Sequence, residues 1–166
     1  MIRVGIITIS DRSYRGERED LSGPALIEKV TDAGFHVIST AIIPDEFDEI
    51  KSYLIKWCDS GNFDLILTTG GTGFAPRDVT PEATLAVLDK TAPGIAEAMR
   101  GYSMKITPHA MLSRQQAGIR KKTLIINLPG SPKGAVENLE YVLPVLPHAI
   151  ELLREDPSAE KGHQQK

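Results

Sequence analysis

Four segments of the chain are continuous apolar runs, each followed at once by polar residues, glycine or proline. They cover residues 2–9, 35–43, 63–69 and 123–128. Apolar runs of this length, without regular polar alternation, are typical of strands buried on both faces of a parallel sheet. The sequence therefore predicts four such strands.

Between these runs, apolar residues recur at spacings of three and four, which indicates helices with one buried face. Ser22 and Asp45 are candidate N-caps for two helices, and Thr80 is the candidate cap of a third. After the last strand, an apolar stripe from Val136 to Leu153 predicts two helices divided near Pro144.

Strands that alternate with helices predict an α/β fold. We expect a three-layer sandwich, in which a mostly parallel central sheet is flanked by helices on both faces. The prediction places one domain over residues 1–155 and a frayed polar tail over 156–166. Residues 92–120 are ambiguous, because prolines and glycines interrupt their helical pieces.

Composition and charge narrow the classes of partner. The 166 residues are 41% hydrophobic and 25% charged, which is ordinary for a globular domain. With 19 basic and 22 acidic residues, the net charge of −3 argues against nucleic acid as a partner. No apolar stretch approaches the roughly 20 residues that span a bilayer, and the first residues lack the pattern of a signal peptide. We therefore expect a cytoplasmic protein without a membrane partner.

A polar cluster follows each of the four predicted strands, at residues 10–12, 44–46, 70–73 and 127–131. Since the carboxyl ends of parallel strands meet at one edge of a sheet, the four clusters should share that edge. Ligands of open α/β sheets bind at this position. The rim of the sheet is therefore the expected site.

The cluster Gly70-Gly71-Thr72-Gly73 is rich in glycine. Glycine permits positive φ and close approach, so that successive N–H groups can surround a phosphate. A tight turn without a ligand explains the same residues equally well. The known phosphate loops do not fit, because Pro76 stands where a dinucleotide fingerprint needs glycine and no Gly-Lys pair occurs in the chain.

Two carboxylates of the predicted rim have two interpretations each. Asp78 lies beside Arg77, and the two side chains are either ordinary surface charges or part of a metal site. Asp45 is either a helix N-cap or the second carboxylate of that metal site. Mg²⁺ is the metal considered, because it is held by one or two carboxylates, with water and phosphate oxygens filling the other positions.

Residues 68–84, Thr-Thr-Gly-Gly-Thr-Gly-Phe-Ala-Pro-Arg-Asp-Val-Thr-Pro-Glu-Ala-Thr, closely resemble the signature of the molybdenum-cofactor biosynthesis family. Within that family, the chain is most similar to the MogA-like molybdopterin adenylyltransferases. The similarity covers nearly the whole chain. It includes the flanking motifs at residues 9–12, 22–24, 43–46, 110–114 and 126–131.

The resemblance implies an enzyme that transfers AMP from Mg²⁺-ATP to the terminal phosphate of molybdopterin and releases pyrophosphate. It implies that Asp45 and Asp78 are catalytic, because they match the two essential aspartates of the family. Our hypothesis is that Asp78 ligates Mg²⁺ and that Asp45 completes or orients the metal site. The nucleotide would be held by Gly70, Gly71, Thr72, Gly73, Asn127, Pro129, Gly130 and Ser131. The pterin side would involve Ser10, Asp11, Thr80, Ser113 and Arg114. The resemblance also implies a homotrimer, with a molybdate-insertion protein as a further candidate partner.

Two other functions fit the same fold. One is a catalytically silent protein that binds molybdopterin or acts as a scaffold, and the other is a hydrolase of another nucleotide. The enzyme is favoured over the silent protein, because Asp45, Arg77, Asp78, Thr80 and Pro81 are all present. The hydrolase is disfavoured by the sequence of the glycine-rich loop.

Overall fold

The fold is taken from a computed structural model that describes residues 1–157 and residue 159. Most of the predicted polar tail, residues 158 and 160–166, lies outside the described residues. The elements in chain order are β1 (Arg3–Ile9), α1 (Asp11–Tyr14), α2 (Ser22–Asp32), β2 (His36–Ile43), α3 (Phe47–Asp59), β3 (Leu65–Thr69), α4 (Thr80–Leu85), β4 (Lys90–Thr91), α5 (Pro93–Met104), β5 (Ala117–Arg120), β6 (Thr123–Leu128), α6 (Pro132–Val142) and α7 (Leu146–Leu153). Two 3₁₀ turns complete them, at Pro108–Leu112 and Leu143–Val145.

The strands form one sheet in the order β2-β1-β3-β6-β5-β4. The four predicted strands β1, β2, β3 and β6 are mutually parallel where they pair, as expected. Two further strands that the sequence analysis did not assign, β5 and β4, extend the sheet in antiparallel pairing beyond β6. The sheet is thus mostly parallel, and the carboxyl ends of its four parallel strands lie side by side.

Helices cover both faces of the sheet, which confirms the predicted three-layer architecture. On one face, α2, α5, α6 and α7 contribute residues such as Leu26, Met99 and Leu139 to a core against β1, β3 and β6. On the other face, α3 and α4 pack residues such as Leu54 and Ala83 against the opposite side of the same strands. Among the described residues, no helix is long and apolar enough to cross a membrane.

The helix boundaries differ from the predicted caps, because the three candidate cap side chains bind elsewhere. Ser22 is the first residue of α2, and its hydroxyl donates to the Gly130 carbonyl at 2.6 Å. The position before α3 is Glu46, and Asp45 instead accepts from the Asp11 N–H. Thr80 is inside α4, and its hydroxyl donates to the Gly70 carbonyl. Ser22 and Asp45 therefore connect neighbouring loops of the rim, and Thr80 closes the loop between β3 and α4.

At the opposite end of the sheet, a buried carboxylate joins three parts of the chain. Asp64 precedes β3 and accepts from the guanidinium of Arg3 and from that of Arg154, at distances of 2.6–3.1 Å. Burial opposes ionisation of Asp64, but the hydrogen bonds from Arg3 and Arg154 outweigh it and hold the pKa of this carboxyl well below its usual value. The ionised form of Asp64 therefore stabilises the fold.

We expect Asp64→Asn to lower the free energy of unfolding by about 2–3 kcal/mol at pH 7, because two guanidinium groups lose their carboxylate. The pKa of Asp64 is lower in the folded protein than in the unfolded chain, where it is roughly 4. Its ionisation therefore stabilises the fold fully above roughly pH 4, and this stabilisation is lost as the pH falls toward the pKa of the folded state. The difference between wild type and variant should therefore shrink below pH 4. Urea unfolding at pH 7 and pH 3 measures it, and an equal difference at both values would contradict this account.

Candidate active site

The rim of the sheet contains a cleft of about 290 Å³, here called the carboxylate cleft. It lies where β1, β2, β3 and β6 end, as the sequence predicted. Six of the predicted site residues line it together with Asp45, namely Ser10, Gly70, Gly71, Asp78, Gly130 and Ser131. Residues that are up to 121 positions apart in the chain are therefore brought to one place by the parallel order of the strands.

Asp45 is half-buried at the end of β2, and its carboxylate is fixed on one side only. Its Oδ2 accepts from the Asp11 N–H at 2.9 Å, while its own N–H donates to Asp11 Oδ1 at 3.1 Å. Within the described part of the chain, Asp45 Oδ1 accepts no hydrogen bond. Burial raises the pKa of Asp45, and the negative charges of Asp11 and Asp78 act in the same direction. A cation near Asp45 would relieve this repulsion.

Asp78 is held in a similar way by its own loop. Its Oδ2 accepts from the N–H groups of Gly73 and Ala75, at 3.0 and 3.2 Å. No hydrogen bond to its Oδ1 is found among the described residues. Arg77 does not pair with Asp78, since its guanidinium binds Asp11 and Glu46. Both aspartates line the carboxylate cleft, and each has one carboxylate oxygen that accepts no hydrogen bond among the described residues.

Gly71 lies against Thr80 and the carboxylate of Asp45 and leaves no room for a side chain. It has φ +67°, and a Cβ built there would lie 2.3 Å from Thr80 Oγ1 and 3.0 Å from Asp45 Oδ1. Only glycine adopts this backbone without strain while allowing such close approach. The glycine at this position is therefore required for Asp45, Thr80 and the loop to meet.

A second cleft of about 300 Å³ lies on the other side of the glycine-rich loop, and we call it the apolar cleft. Its lining includes the apolar side chains of Ile106, Ala110 and Leu112. Ser131 lines both clefts, so that they adjoin at the start of α6. Of the predicted site residues, Thr72, Gly73, Pro129 and Ser113 line the apolar cleft.

Four predicted site residues line neither cleft, and their side chains form hydrogen bonds with the loops and strands of the rim. Asn127 is fully buried, donates to Thr68 and Thr84, and accepts from the Gln116 N–H. Thr80 is equally buried beneath Gly70. Arg114 donates to the carbonyls of Gly73 and Asp78, both at 2.8 Å, and pairs with Glu82. The fourth, Asp11, is bound to Arg77 and Asp45.

The side chains of these four residues bind other parts of the rim, and a contact with substrate stays a prediction for each of them. The side-chain amide of Asn127 is fully used inside the fold, and the guanidinium of Arg114 braces the segment that carries Asp78. Polar residues in a binding motif therefore include supports as well as contacts, and a sequence motif alone does not distinguish the two.

The carboxylate cleft is also lined by residues that were not among the predicted site residues, and Asp20, Ser22 and Arg18 are three of them. Asp20 accepts from the Thr8 hydroxyl at 2.7 Å and from the Gly23 N–H at 3.0 Å. Ser22 binds the Gly130 carbonyl, and Arg18 lines the cleft from the segment between α1 and α2. The spacing of Asp20 and Gly23 is a signal that the sequence offered, because an Asp three residues before an N–H at a helix start commonly accepts from it.

A comparison with models of protein families identifies the family to which this chain is similar. Residues 5–148 match the model of the molybdenum-cofactor biosynthesis family described as "Probable molybdopterin binding domain". The chain belongs to this family. The family predicted from residues 68–84 is thereby confirmed, and the match covers all four parallel strands except the first two residues of β1.

Three relatives are similar to this chain over most of their length. A molybdopterin adenylyltransferase of Helicobacter pylori strain J99 is 49% identical over 157 residues, which covers 92% of this chain and 88% of that protein. A molybdopterin adenylyltransferase of Escherichia coli K12 is 49% identical over 144 residues, covering 85% and 73%. The crystal structure of the molybdopterin biosynthesis enzyme MoaB from Thermus thermophilus is 54% identical, with a TM-score of 0.89 and coverage of 95% and 99%.

We expect Gly71→Ala to lower the free energy of unfolding by about 1–3 kcal/mol, because the added methyl group must displace Thr80 or Asp45. Gly101→Ala is a matched control. Gly101 lies inside α5, and a Cβ there meets nothing within 4 Å, so that alanine should stabilise the helix by about 0.5–1 kcal/mol. Thermal unfolding of both variants measures the difference. Equal stability of the two would show that the approach at Gly71 is not tight.

Proposed function

We propose that this protein is a molybdopterin adenylyltransferase, which transfers AMP from ATP to the terminal phosphate of molybdopterin. The observation that carries the proposal is the pair Asp45 and Asp78, each with one uncommitted oxygen in a cleft beside Gly70 and Gly71. The names of the H. pylori and E. coli relatives support the same activity.

The reaction needs alignment more than proton transfer. An oxygen of the molybdopterin phosphate attacks the α-phosphorus of ATP, the bond from that phosphorus to the bridging oxygen breaks, and pyrophosphate leaves. The attacking phosphate is already an anion near neutral pH, so that no side chain has to deprotonate it. Of the described residues that line the carboxylate cleft, none is a histidine or cysteine, which agrees with a reaction without a side-chain base or nucleophile.

Magnesium fits the residues of this cleft. No group of three or more potential ligands from His, Cys, Asp and Glu occurs among the described residues. Two carboxylate oxygens are nevertheless sufficient for Mg²⁺, which fills its other positions with water and phosphate oxygens. We propose that Asp45 Oδ1 and Asp78 Oδ1 hold the ion. When bound, it would neutralise negative charge on the crowded phosphates.

Backbone groups provide the remaining positive potential for the phosphates. The loop at Gly70–Gly71 has no side chains, so that phosphate oxygens can approach its backbone closely. Ser131 is the N-cap of α6, and the start of this eleven-residue helix favours an anion. We therefore place the reacting phosphates in the carboxylate cleft, between the glycine-rich loop and Ser131.

Two adjoining clefts suit a reaction between two substrates that each carry a flat ring system. The apolar cleft offers Ile106, Leu112 and Pro129 as packing surface, and it meets the carboxylate cleft at Ser131. We propose that the pterin or the adenine extends into the apolar cleft, while the phosphates of both substrates meet at the two aspartates. Ser113 lines the apolar cleft, and we propose that it contacts the ring system there.

The deciding experiment is incubation with molybdopterin, ATP and Mg²⁺, followed by detection of adenylylated molybdopterin and pyrophosphate. Formation of both products supports the transferase. Binding of molybdopterin without turnover would instead identify a silent binding protein or scaffold, and hydrolysis of the nucleotide without transfer would identify a hydrolase.

We expect Asp78→Asn to lower turnover by roughly 10²–10³-fold, on the scale of one lost electrostatic contact to the transition state. Binding of molybdopterin should largely survive, because asparagine keeps the size of the side chain. Asp48→Asn is the matched control, since Asp48 is exposed on α3 and outside the carboxylate cleft. Single-turnover kinetics and a separate molybdopterin titration measure the two effects. Normal turnover in Asp78→Asn would remove Asp78 from the mechanism.

Assembly and location are further parts of the proposal. We propose a homotrimer in the cytoplasm, as the resemblance implies, with a molybdate-insertion protein as a partner that receives the adenylylated product. Light scattering after gel filtration measures the assembly, and the trimer has three times the chain mass of 18.1 kDa. A monomer or dimer at micromolar concentration would contradict it.

A further inference from the structure

Arg77 connects three ends of the rim. It precedes Asp78 in the loop between β3 and α4, and its side chain reaches the segments after β1 and β2. Its Nε donates to Asp11 Oδ2 at 2.6 Å, and its Nη2 donates to Asp11 Oδ1 at 3.2 Å and to Glu46 Oε1 at 2.7 Å. A single guanidinium therefore holds the loop of Asp78 against the two neighbouring strand ends.

Asp11 connects Arg77 to Asp45 through hydrogen bonds. The Asp11 carboxylate that binds Arg77 also accepts from the Asp45 N–H at 3.1 Å, and the Asp11 N–H donates to Asp45 Oδ2 at 2.9 Å. Asp45 is thus held at both its backbone and its carboxylate by a residue that Arg77 fixes. Its other oxygen, Oδ1, lies close to Gly71, and both residues line the carboxylate cleft.

The arrangement differs from an ordinary surface ion pair. An exposed pair between two side chains contributes little to stability, because water screens it. Arg77 is about half exposed, but Asp11 is only 17% exposed and makes two further hydrogen bonds with Asp45. We therefore expect the contact between Arg77 and Asp11 to act mainly on geometry, because it limits how far Asp45 and Asp78 can move apart.

We propose that Arg77 is a positioning residue, which acts through Asp11 to keep Asp45 at the separation from Asp78 that a shared divalent cation requires. The inference rests on the proposed function, because it assumes that the two aspartates hold the cation together. It assigns no contact between Arg77 and substrate. Ligand-orienting partners of this kind typically change metal affinity or activity by 10–100-fold when they are removed.

The test compares Arg77→Gln, Arg77→Lys and wild type by their affinity for Mn²⁺, followed by electron paramagnetic resonance in the presence of a non-hydrolysable ATP analogue. We expect Arg77→Gln to weaken Mn²⁺ binding 10–100-fold. Arg77→Lys should remain weakened, because lysine supplies the charge without the planar fork that binds Asp11 and Glu46 together. Full recovery by lysine would show that charge alone matters and would overturn the positioning role.

Arg120→Gln is the matched control. Arg120 makes a two-point ion pair with Asp59, with both distances at 2.9 Å, and it lies outside both clefts. Its removal should leave Mn²⁺ binding as in wild type. Equal weakening in Arg120→Gln and Arg77→Gln, or unchanged binding in Arg77→Gln, would overturn the inference. Thermal unfolding of each variant verifies that it is folded.

A kinetic readout follows on the same proteins. The Mg²⁺ concentration for half-maximal velocity should rise by the same 10–100-fold factor in Arg77→Gln, while the KM for molybdopterin stays unchanged. An unchanged Mg²⁺ requirement would contradict the inference. Failure of the wild type to transfer AMP would contradict the proposed function alone, because the Mn²⁺ comparison does not depend on turnover.

Discussion

The close approach at Gly71 determines the geometry of the candidate site. At this residue the end of β3, the start of α4 and the carboxylate of Asp45 lie within contact distance of one another, and no side chain fits between them. Thr80 then fixes the loop by donating its hydroxyl hydrogen to the Gly70 carbonyl, while its N–H donates to the Gly71 carbonyl. Because the strands β1, β2 and β3 are neighbours in the sheet, their ends converge on this point without any long loop.

Much of the architecture follows from the sequence, because buried parallel strands are encoded locally as continuous apolar runs. The strands β4 and β5 were not predictable in this way. They have two and four residues, which is too short for a clear apolar run. β4 pairs with β5 from a distant segment, whereas β5 forms an antiparallel hairpin with β6, which follows it directly in the chain. The division of the last apolar stripe at Pro144 was predictable, since proline removes a helical hydrogen bond.

The candidate site was predictable in position but not in the role of each polar residue. Local spacing makes Ser22, Asp45 and Thr80 good helix caps. Ser22 and Asp45 instead bind groups of another loop, and Thr80 binds the far end of its own loop. Asn127 lies at the end of β6, where its side chain enters the interior and binds Thr84 of α4. Whether a side chain at a strand end faces a cleft or the core depends on the packed helices, and the sequence of the loop does not contain that information.

The acidic balance of the chain has a specific meaning at this site. Among the described residues that line the carboxylate cleft, Arg18 is the one basic residue, whereas Glu19, Asp20, Asp45 and Asp78 are acidic. A cleft of this kind repels a free polyphosphate. It becomes favourable for phosphate only together with a divalent cation and with backbone N–H donors, which add positive potential without adding to the net charge. A net charge of −3 is therefore compatible with the proposed phosphate-transfer site, at which the proposed cation would offset the acidic side chains.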